Sequence, residues 1–352
     1  MIRLPGMPEE KFNPYFPKCF VWELTLKCNL KCLHCGSSAG ITRPDELSTA
    51  EALLLCDDLK KIRVGSVALM GGEPFLRSDW FLIAEKLNSL NIPMSIISNG
   101  VLINDDIIDK LKIIKPGVVG ISLDAASSEI HDKMRGVKGS FDKTKDAIFR
   151  LKSEGFDVSI ITTITSLNID ELPKIRDLIL NKGIVWQIQI SSSHGARFNN
   201  DMMINKEQFY EVGKFISDCK KNYSLEELPL GGADDMGYFS EFLCSPGPKD
   251  WKGCSAGKWI LGMHSNGNLK PCLSLSDEFI VGNIRKRNLV DLWDDDEVFK
   301  FNRNFDKSFL KGNCKDCPHG ETCQGGCSDI AFSLTDSPYD NPFCFHLIEK
   351  DL

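Results

Sequence analysis

Three thiols crowd into one short loop near the start of the chain. Cys28, Cys32 and Cys35 are spaced C-x3-C-x2-C within WELTLKCNLKCLHCGSSAG, residues 22–40. They follow the apolar run FVWELTL, which reads as a strand. A loop this short can turn its sulfurs inward around one inorganic centre. A cubic iron–sulfur cluster takes four thiolates, one per iron, so three close cysteines suggest a [4Fe–4S] cluster with one iron left open. An open coordination position separates a reactive metal site from a closed structural one. Zinc and disulfides are the competing assignments. Zinc knuckles prefer two C-x2-C-type pairs, and no partner pair lies near this trio. His34, between Cys32 and Cys35, would have to bend back onto the same metal to act as a fourth ligand.

The rest of the chain narrows the context. Its 352 residues can hold one large domain and a smaller one. The net charge is −7 with both signs interspersed. No basic stripe argues for nucleic acid and no basic amphipathic segment for a membrane surface. The start, MIRLPGMPEEKF, lacks the apolar core of a signal peptide, and no run of eighteen apolar residues suggests a membrane span. The fourteen cysteines therefore read as metal ligands plus a few buried thiols in a reducing, cytoplasmic compartment.

Residues 1–17 read as an extended, proline-rich lead-in. Strand-like runs then alternate with helical ones: 19–26, 67–70, 94–98, 118–123, 158–164 and 185–190. Their near-continuous apolarity fits parallel strands covered on both faces. Ser48-Thr49-Ala50-Glu51 is a capping box opening a helix that ends near Gly65. Asn104 can cap 105–114, Ser140 can cap a helix to Gly155, and another runs from about Ile169 to Gly183. This is an α/β fold, as an open sheet or a partial barrel. From about 191 the chain turns polar. Residues 205–222 read as a helix, and the Gly-, Pro- and Asp-rich stretch 204–253 reads as a connection between domains 1–203 and 254–352.

In such folds chemistry collects at the carboxyl ends of the strands. Gly71-Gly72-Glu73-Pro74 follows the second strand. Paired glycines allow close backbone approach, and Glu73 can accept hydrogen bonds from a cationic amine. Ser98-Asn99-Gly100 ends the third strand as a turn. Ser122 and Asp124 end the fourth, with Arg135 in the loop beyond. A hydroxyl and a guanidinium fork suit a carboxylate. A second constellation follows residue 253: Cys254, then Gly267-x4-Cys272, then Cys314-x2-Cys317-x5-Cys323-x3-Cys327, then Cys344. Its short polar loops cannot form a core, so metal would organise them. Seven thiols are too many for one tetrahedral ion and nearly enough for two cubes.

The first trio resembles the signature of the radical SAM superfamily, and the second constellation resembles its SPASM domain. The resemblance implies a partial (β/α)6 barrel followed by a cysteine-rich domain organised by iron–sulfur clusters. It implies that the open iron of the Cys28/Cys32/Cys35 cluster binds the amino and carboxylate groups of S-adenosylmethionine (SAM). Gly71, Gly72, Glu73 and Pro74 look like the motif that holds the methionyl amino group. Ser122 and Arg135 would hold the SAM carboxylate, and Asp124 would lie near the ribose. Ser98 and Asn99 would line the pocket. His34 stands where the family has an aromatic beside the adenine, and Ile190 would pack on the adenine or simply in the core. Cys314, Cys317, Cys323 and Cys344 would hold an outer auxiliary cluster, and Cys254, Cys272 and Cys327 an inner one. That makes three [4Fe–4S] clusters. Fully ligated relatives often have a further cysteine soon after the equivalent of Cys254. Here SAGKWILGMH follows, so the inner cluster either keeps an open iron or is closed by Cys244.

The implied activity is reductive cleavage of SAM to a 5′-deoxyadenosyl radical, which abstracts hydrogen from a substrate. One reading is oxidative cross-linking or thioether formation in a ribosomally made peptide. Many such enzymes carry an amino-terminal leader-recognition domain, yet only 27 residues precede Cys28. Recognition would then fall to a separate protein or to 191–253. The second reading is cofactor biosynthesis, such as tetrapyrrole side-chain decarboxylation, since Trp22 to Cys35 fits the start of short relatives in that group. The third is a non-catalytic metal scaffold. An electron donor such as flavodoxin or ferredoxin is the expected partner. Cys56 and Cys219 read as buried apolar residues, and Asp234-Asp235 as a solvated turn with a substrate base as the alternative. His131, His194, His264, His319 and His346 show no ligand spacing.

Overall fold

The six apolar runs become six parallel strands: β1 (Cys19–Thr25), β2 (Val67–Gly71), β3 (Met94–Ser98), β4 (Val118–Ser122), β5 (Val158–Ile164) and β6 (Val185–Ile190). Each pairs with the next in chain order, as right-handed βα units require. The computed structural model describes residues 14–244 and 251–351. Most of the expected lead-in and residues 245–250 of the expected connection lie outside the described residues.

The helices that cover the strands start and stop much as their signals dictate. Ser48 and Glu51 form the capping box of α1 (Thr49–Lys61). After α2 (Trp80–Ser89), Asn104 caps α3 (Asp105–Ile114). The next two differ from expectation. A helix the sequence hides, α4 (Ser128–Arg135), follows β4 and places Arg135 on its last turn, not in a loop. Ser140 does not cap α5 (Ser140–Ser153); it is the first helical residue, Gly139 holds the cap position at φ 79°, and the Ser140 hydroxyl donates to Asp132. The run from Ile169 splits into a short 3-10 turn and α6 (Leu172–Ile179). Asn205 opens α7 (Lys206–Asn222) with a second capping box.

The sheet does not stop at six strands. β7 (Leu230–Gly232) adds in parallel to β6 from within the stretch read as a connection. On the other side β8 (Ile260–Met263) pairs in parallel with β1. A hairpin then carries the sheet to β9 (Asn268–Lys270) and β10 (Gly282–Asn283). The order is β10-β9-β8-β1-β2-β3-β4-β5-β6-β7. The carboxy-terminal cysteine region thus grows directly from the edge of the cysteine-bearing strand, and that edge is covered. Among the described residues no helix is long and apolar enough to cross a membrane.

The core runs continuously from the barrel into the C-terminal region, through Phe20, Trp22, Trp186, Phe209, Phe299 and Phe345. Phe345 stacks on Phe209 of α7 with ring centroids 4.6 Å apart. A Cβ on Gly213 would come within 2.4 Å of the Phe345 ring, so only glycine lets this ring seat on α7. Phe345 directly follows the thiol of Cys344, so this packing fixes where that thiol lies. Replacing a buried Phe by Ala typically removes about 3–5 kcal/mol. Phe345→Ala is therefore expected to lower the thermal midpoint by several degrees and to loosen the segment around Cys344. Calorimetry with amide exchange of 340–350 checks both.

Candidate active site

The loop after β1 has almost no core of its own, and four segments hold it. It closes on itself through Cys28 N–H to Gly40 O (3.0 Å) and Gly40 N–H to Leu26 O (3.0 Å). The turn after β2 donates Gly72 N–H to Thr25 O and Glu73 N–H to Lys27 O, each 2.8 Å. A Cβ on Gly72 would lie 2.2 Å from Lys27 O. These glycines therefore serve close approach to the cysteine loop itself, where the sequence suggested approach to a ligand. The end of α4 accepts from Lys31 N–H (3.0 Å, Arg135 O) and Leu33 N–H (2.8 Å, Met134 O). The third is Asn99, whose amide donates to Asn29 Oδ1 at 2.7 Å.

The segment after β6 adds a clamp that no motif announces. Arg197 donates through Nε to Cys32 O and through Nη2 to Ala39 O, each at 3.0 Å. Ala196 N–H donates to Ser38 Oγ at 2.7 Å. Gly195 passes so near Cys35 that a Cβ would meet its carbonyl oxygen at 2.1 Å. The same segment reaches the C-terminal region through His194 Nε2 and Asp329 Oδ1 (3.1 Å) and through Ser193 Oγ to Ser333 O (2.8 Å).

The three sulfurs are set to accept. Leu30 N–H points to Cys28 Sγ (3.4 Å), Ala39 N–H to Cys35 Sγ (3.3 Å) and Arg135 Nη1 to Cys32 Sγ (3.8 Å). Hydrogen bonds to sulfur are one of the levers that tune an iron–sulfur centre. Burial pushes the bare Cys28 thiol up to about 11. Burial also raises Cys32, against the pull of Arg135. Bound metal would reverse this, since a coordinating thiol is deprotonated outright.

Around them lie the polar residues singled out in the sequence. Glu73 is fully buried. It accepts from Ser98 Oγ (2.9 Å), Asn99 N–H (2.9 Å) and Phe75 N–H (3.4 Å). Burial raises its carboxyl to about 7, and those donors offset only part of the effect. Asp124 is also fully buried, with Oδ2 2.7 Å from Arg135 Nε and 3.3 Å from His34 Nε2. Its Oδ1 accepts Thr163 N–H at 3.2 Å. Burial works against its charge, but Arg135 foremost, then His34 and His131, holds the carboxyl below the usual range. Burial lowers His34 to about 4, so its ring is neutral, and its Nε2 is spent on Asp124. Ser122 ends β4 half-buried. Ile190 is buried at the end of β6, and its N–H donates to Asp235 Oδ2 at 2.9 Å.

That last contact corrects the reading of Asp234-Asp235 as a solvated turn. The Asp235 carboxyl oxygens are turned inward and Oδ1 has no hydrogen-bond partner. Burial pushes Asp235 up to about 8, with Asp234 and Asp329 adding repulsion. Burial raises Asp234 as well.

The late cysteines fall into two groups. Cys314, Cys317, Cys323 and Cys344 line one pocket with Phe239, His319 and His346. Cys314 Sγ accepts Asn341 N–H at 3.4 Å. Cys254 and Cys272 share a small apolar cluster with Trp251, Ala256 and Leu275, against which Cys323 also packs. Burial raises Cys272 to about 12, with Cys254 the leading charge beside it. Cys327 is raised well above its ordinary value by burial, then by Cys254, Asp329 and Asp235. Cys244 is exposed, its N–H bonded to Ser217 Oγ, and stands outside both groups. Among the described residues no three Cys, His, Asp or Glu side chains converge on one metal-ion position. Tetrahedral zinc would draw its thiols to within about 3.8 Å of one another, from a Zn–S bond of about 2.3 Å.

Removing one partner of a buried ion pair strands the other charge, at a cost of about 3–5 kcal/mol. Asp124→Asn is therefore expected to destabilise the fold by that order and to free His34 and Arg135. Urea unfolding of the variant beside wild type measures it.

Residues 22–179 match the Radical SAM superfamily, and residues 254–318 match SPASM, an iron–sulfur cluster-binding domain. The chain is 31% identical over 332 residues to mycofactocin maturase MftC of Mycolicibacterium smegmatis, covering 93% of this chain and 81% of that protein. It is 29% identical over 344 residues to the AdoMet-dependent heme synthase of Methanosarcina barkeri, covering 94% and 97%. In structure it is similar to Streptococcus suis SuiB bound to S-adenosylmethionine, with TM-score 0.74 at 20% identity over 94% of this chain and 77% of that one. It is also similar to anSMEcpe with bound AdoMet and a Cp18Cys peptide, with TM-score 0.68 at 22% identity over 95% of each. These structural likenesses concern the fold.

Proposed function

The chain belongs to the radical SAM superfamily and carries its SPASM domain, and from that premise we propose that it is an enzyme that modifies a ribosomally made peptide. When bound at Cys28, Cys32 and Cys35, a reduced [4Fe–4S] cluster supplies one electron to the sulfonium of SAM, which yields the radical that abstracts substrate hydrogen. The chain's own residues bind and orient. Glu73 takes the methionyl ammonium, with Ser98 and Asn99 fixing its carboxylate. Ser122 and Arg135 take the SAM carboxylate. Asp124 is a positioning residue: its Oδ1 accepts Thr163 N–H, and its Oδ2 lies within ion-pair distance of Arg135 and beside the neutral His34 ring. Ile190 closes the adenine side. Cys314, Cys317, Cys323 and Cys344 would hold one auxiliary cluster, and Cys254, Cys272 and Cys327 would hold another, with exposed Cys244 outside both sets. The barrel spans 1–203 and the cluster-bearing domain 254–352, with 204–253 lending β7 to the sheet.

The observation that favours a peptide is the likeness to a maturase, 31% identical over 93% of this chain. The heme synthase likeness keeps tetrapyrrole decarboxylation as the second reading.

Two measurements test this. Anaerobically reconstituted protein is expected to hold about twelve irons per chain, four for each of three cubes. It should form 5′-deoxyadenosine under reduction, and Cys28→Ala should abolish it. A mass change in a peptide co-expressed from a neighbouring gene supports the first reading, and turnover of a tetrapyrrole without any peptide change supports the second.

The pH dependence of SAM binding follows from Glu73. Below about 7 its carboxyl is protonated and cannot pair with an ammonium; above that it is ionised. SAM affinity should therefore rise as pH increases from 6 to 8. Glu73→Gln should flatten the curve and weaken binding by about 10- to 100-fold at pH 8, the worth of a charged hydrogen bond of about 1.5–3 kcal/mol. Titration calorimetry across that range decides it.

A further inference from the structure

The carboxyl ends of β1 and β8 meet on the same rim as the cysteine loop, and the side chains they carry have no part in the machinery described so far. Glu23, buried near the end of β1, accepts Arg43 Nε at 2.9 Å and Nη2 at 3.3 Å. It also accepts Ser265 N–H (3.1 Å) and Ser265 Oγ (2.9 Å) from the turn after β8. Leu47 N–H closes the same junction on Ser265 O at 2.7 Å. The β8–β9 hairpin adds His264 and Lys270, only 4% and 3% exposed. Burial lowers His264; Glu23 opposes this and Lys270 and Arg43 add to it, so the four groups form one cluster around a neutral ring. The charge of Arg43 is matched by Glu23. Among the described residues the acid that pairs with Lys270 is Asp277, whose Oδ1 lies 3.2 Å from Nζ and 3.6 Å from His264 Nε2. The Asp277 side chain is nevertheless 69% exposed. Its charge reaches Arg43 as well.

A buried ammonium is costly unless paired, and a carboxylate standing mostly in water is a weak partner for it. The two halves of this pair are also built differently. Strand pairing and the Glu23 bonds fix the cationic half, whereas the acid stands on a short 3-10 turn, Asp277–Phe279. We propose that Arg43, His264 and Lys270 form a subsite for a carboxylate of the substrate, and that Asp277 fills it until that carboxylate displaces it. The exchange leaves the buried charge unchanged, since one carboxylate departs as another enters. The position favours a substrate group, because ligands of such folds bind at the carboxyl ends of the strands. A Cβ on Gly71 would lie 3.2 Å from Glu23 Cγ, so the cradle adjoins the turn that carries Glu73. The inference rests on the proposed function only for the molecule that bears the group. A peptide would offer its carboxyl end or an acidic side chain, and a tetrapyrrole the same chemistry as a propionate.

The test titrates propionate, and propionamide as its neutral counterpart, into the reconstituted enzyme by calorimetry. Wild type is compared with Asp277→Asn, with the double variant Asp277→Asn/Lys270→Met, and with Glu278→Gln, which removes the same charge from the neighbouring exposed acid. Asp277→Asn should bind propionate about three- to fivefold more tightly than wild type, the worth of the exposed pair it removes. Adding Lys270→Met should weaken binding by about 10- to 100-fold, as loss of a charged hydrogen bond does. Glu278→Gln should match wild type, and propionamide should not bind. Equal propionate affinity in wild type and Asp277→Asn would overturn the proposal, as would an equal gain in Glu278→Gln or binding of propionamide. Should the double variant fail to fold, crystals of Asp277→Asn soaked in propionate decide, since density away from Lys270 sinks the idea. Acetylated penta-alanine with a free or an amidated carboxyl end, and coproporphyrin, then identify the source. The free acid or the porphyrin should show the same gain and loss across the variants; if neither does, the cradle takes small anions only and the proposal falls. Failure of wild type to cleave SAM would sink the proposed function and leave the propionate comparison standing.

Discussion

The cysteine loop cannot hold its own shape, and the rest of the site follows from how it is held. Residues 26–40 bury few side chains, so their conformation depends on donors and acceptors from elsewhere. Each segment that supplies them also presents a residue to the site. The turn that bonds Thr25 O and Lys27 O carries Glu73. The helix end that accepts from Lys31 and Leu33 carries Arg135. The segment that clamps Cys32 O and Ala39 O holds His194 against Asp329 in the C-terminal region. The bonds that shape the loop are therefore the bonds that build the pocket, and damage to one is damage to both.

Buried charge at the centre makes the same point from energetics. Asp124, Arg135 and His34 lie out of water, where desolvation can exceed the Coulombic gain of an ion pair. Such a group is weak evidence for stability. Its arrangement serves geometry: Asp124 sets the direction of a guanidinium whose other arm points at Cys32 Sγ. The neutral state of His34 is a consequence, since burial disfavours a second cation beside Arg135.

What the sequence revealed and what it hid divide along physical lines. The six strands were legible because both faces of each are covered, which leaves a nearly unbroken apolar run. The helix α4 was not, because its buried face is made of His131, Met134 and Arg135, and two of those read as surface residues. β7 has only Leu-Gly-Gly to show, with hardly a side chain to give a period. The cysteine groups were legible from spacing, since close thiols have few other uses. Arg197 was not, because its partners are backbone carbonyls, which leave no mark in sequence. Asp235 looked like a turn because an adjacent acid pair in a Gly-rich stretch usually is one. Only the closure of β7 against β6 turns its carboxyl inward.

The raised thiols tie the folding of the chain to the loading of its sites. Cys28 near 11 and Cys272 near 12 are neutral at physiological pH, because burial penalises the thiolate. Metal binding must then release protons, and affinity rises with pH. The hydrophobic frame, above all Phe345 seated on α7 and β8 paired with β1, gives the sulfurs their positions. Iron–sulfur binding would turn buried neutral thiols such as Cys28 into thiolates, and the surrounding N–H donors are already turned to meet that charge.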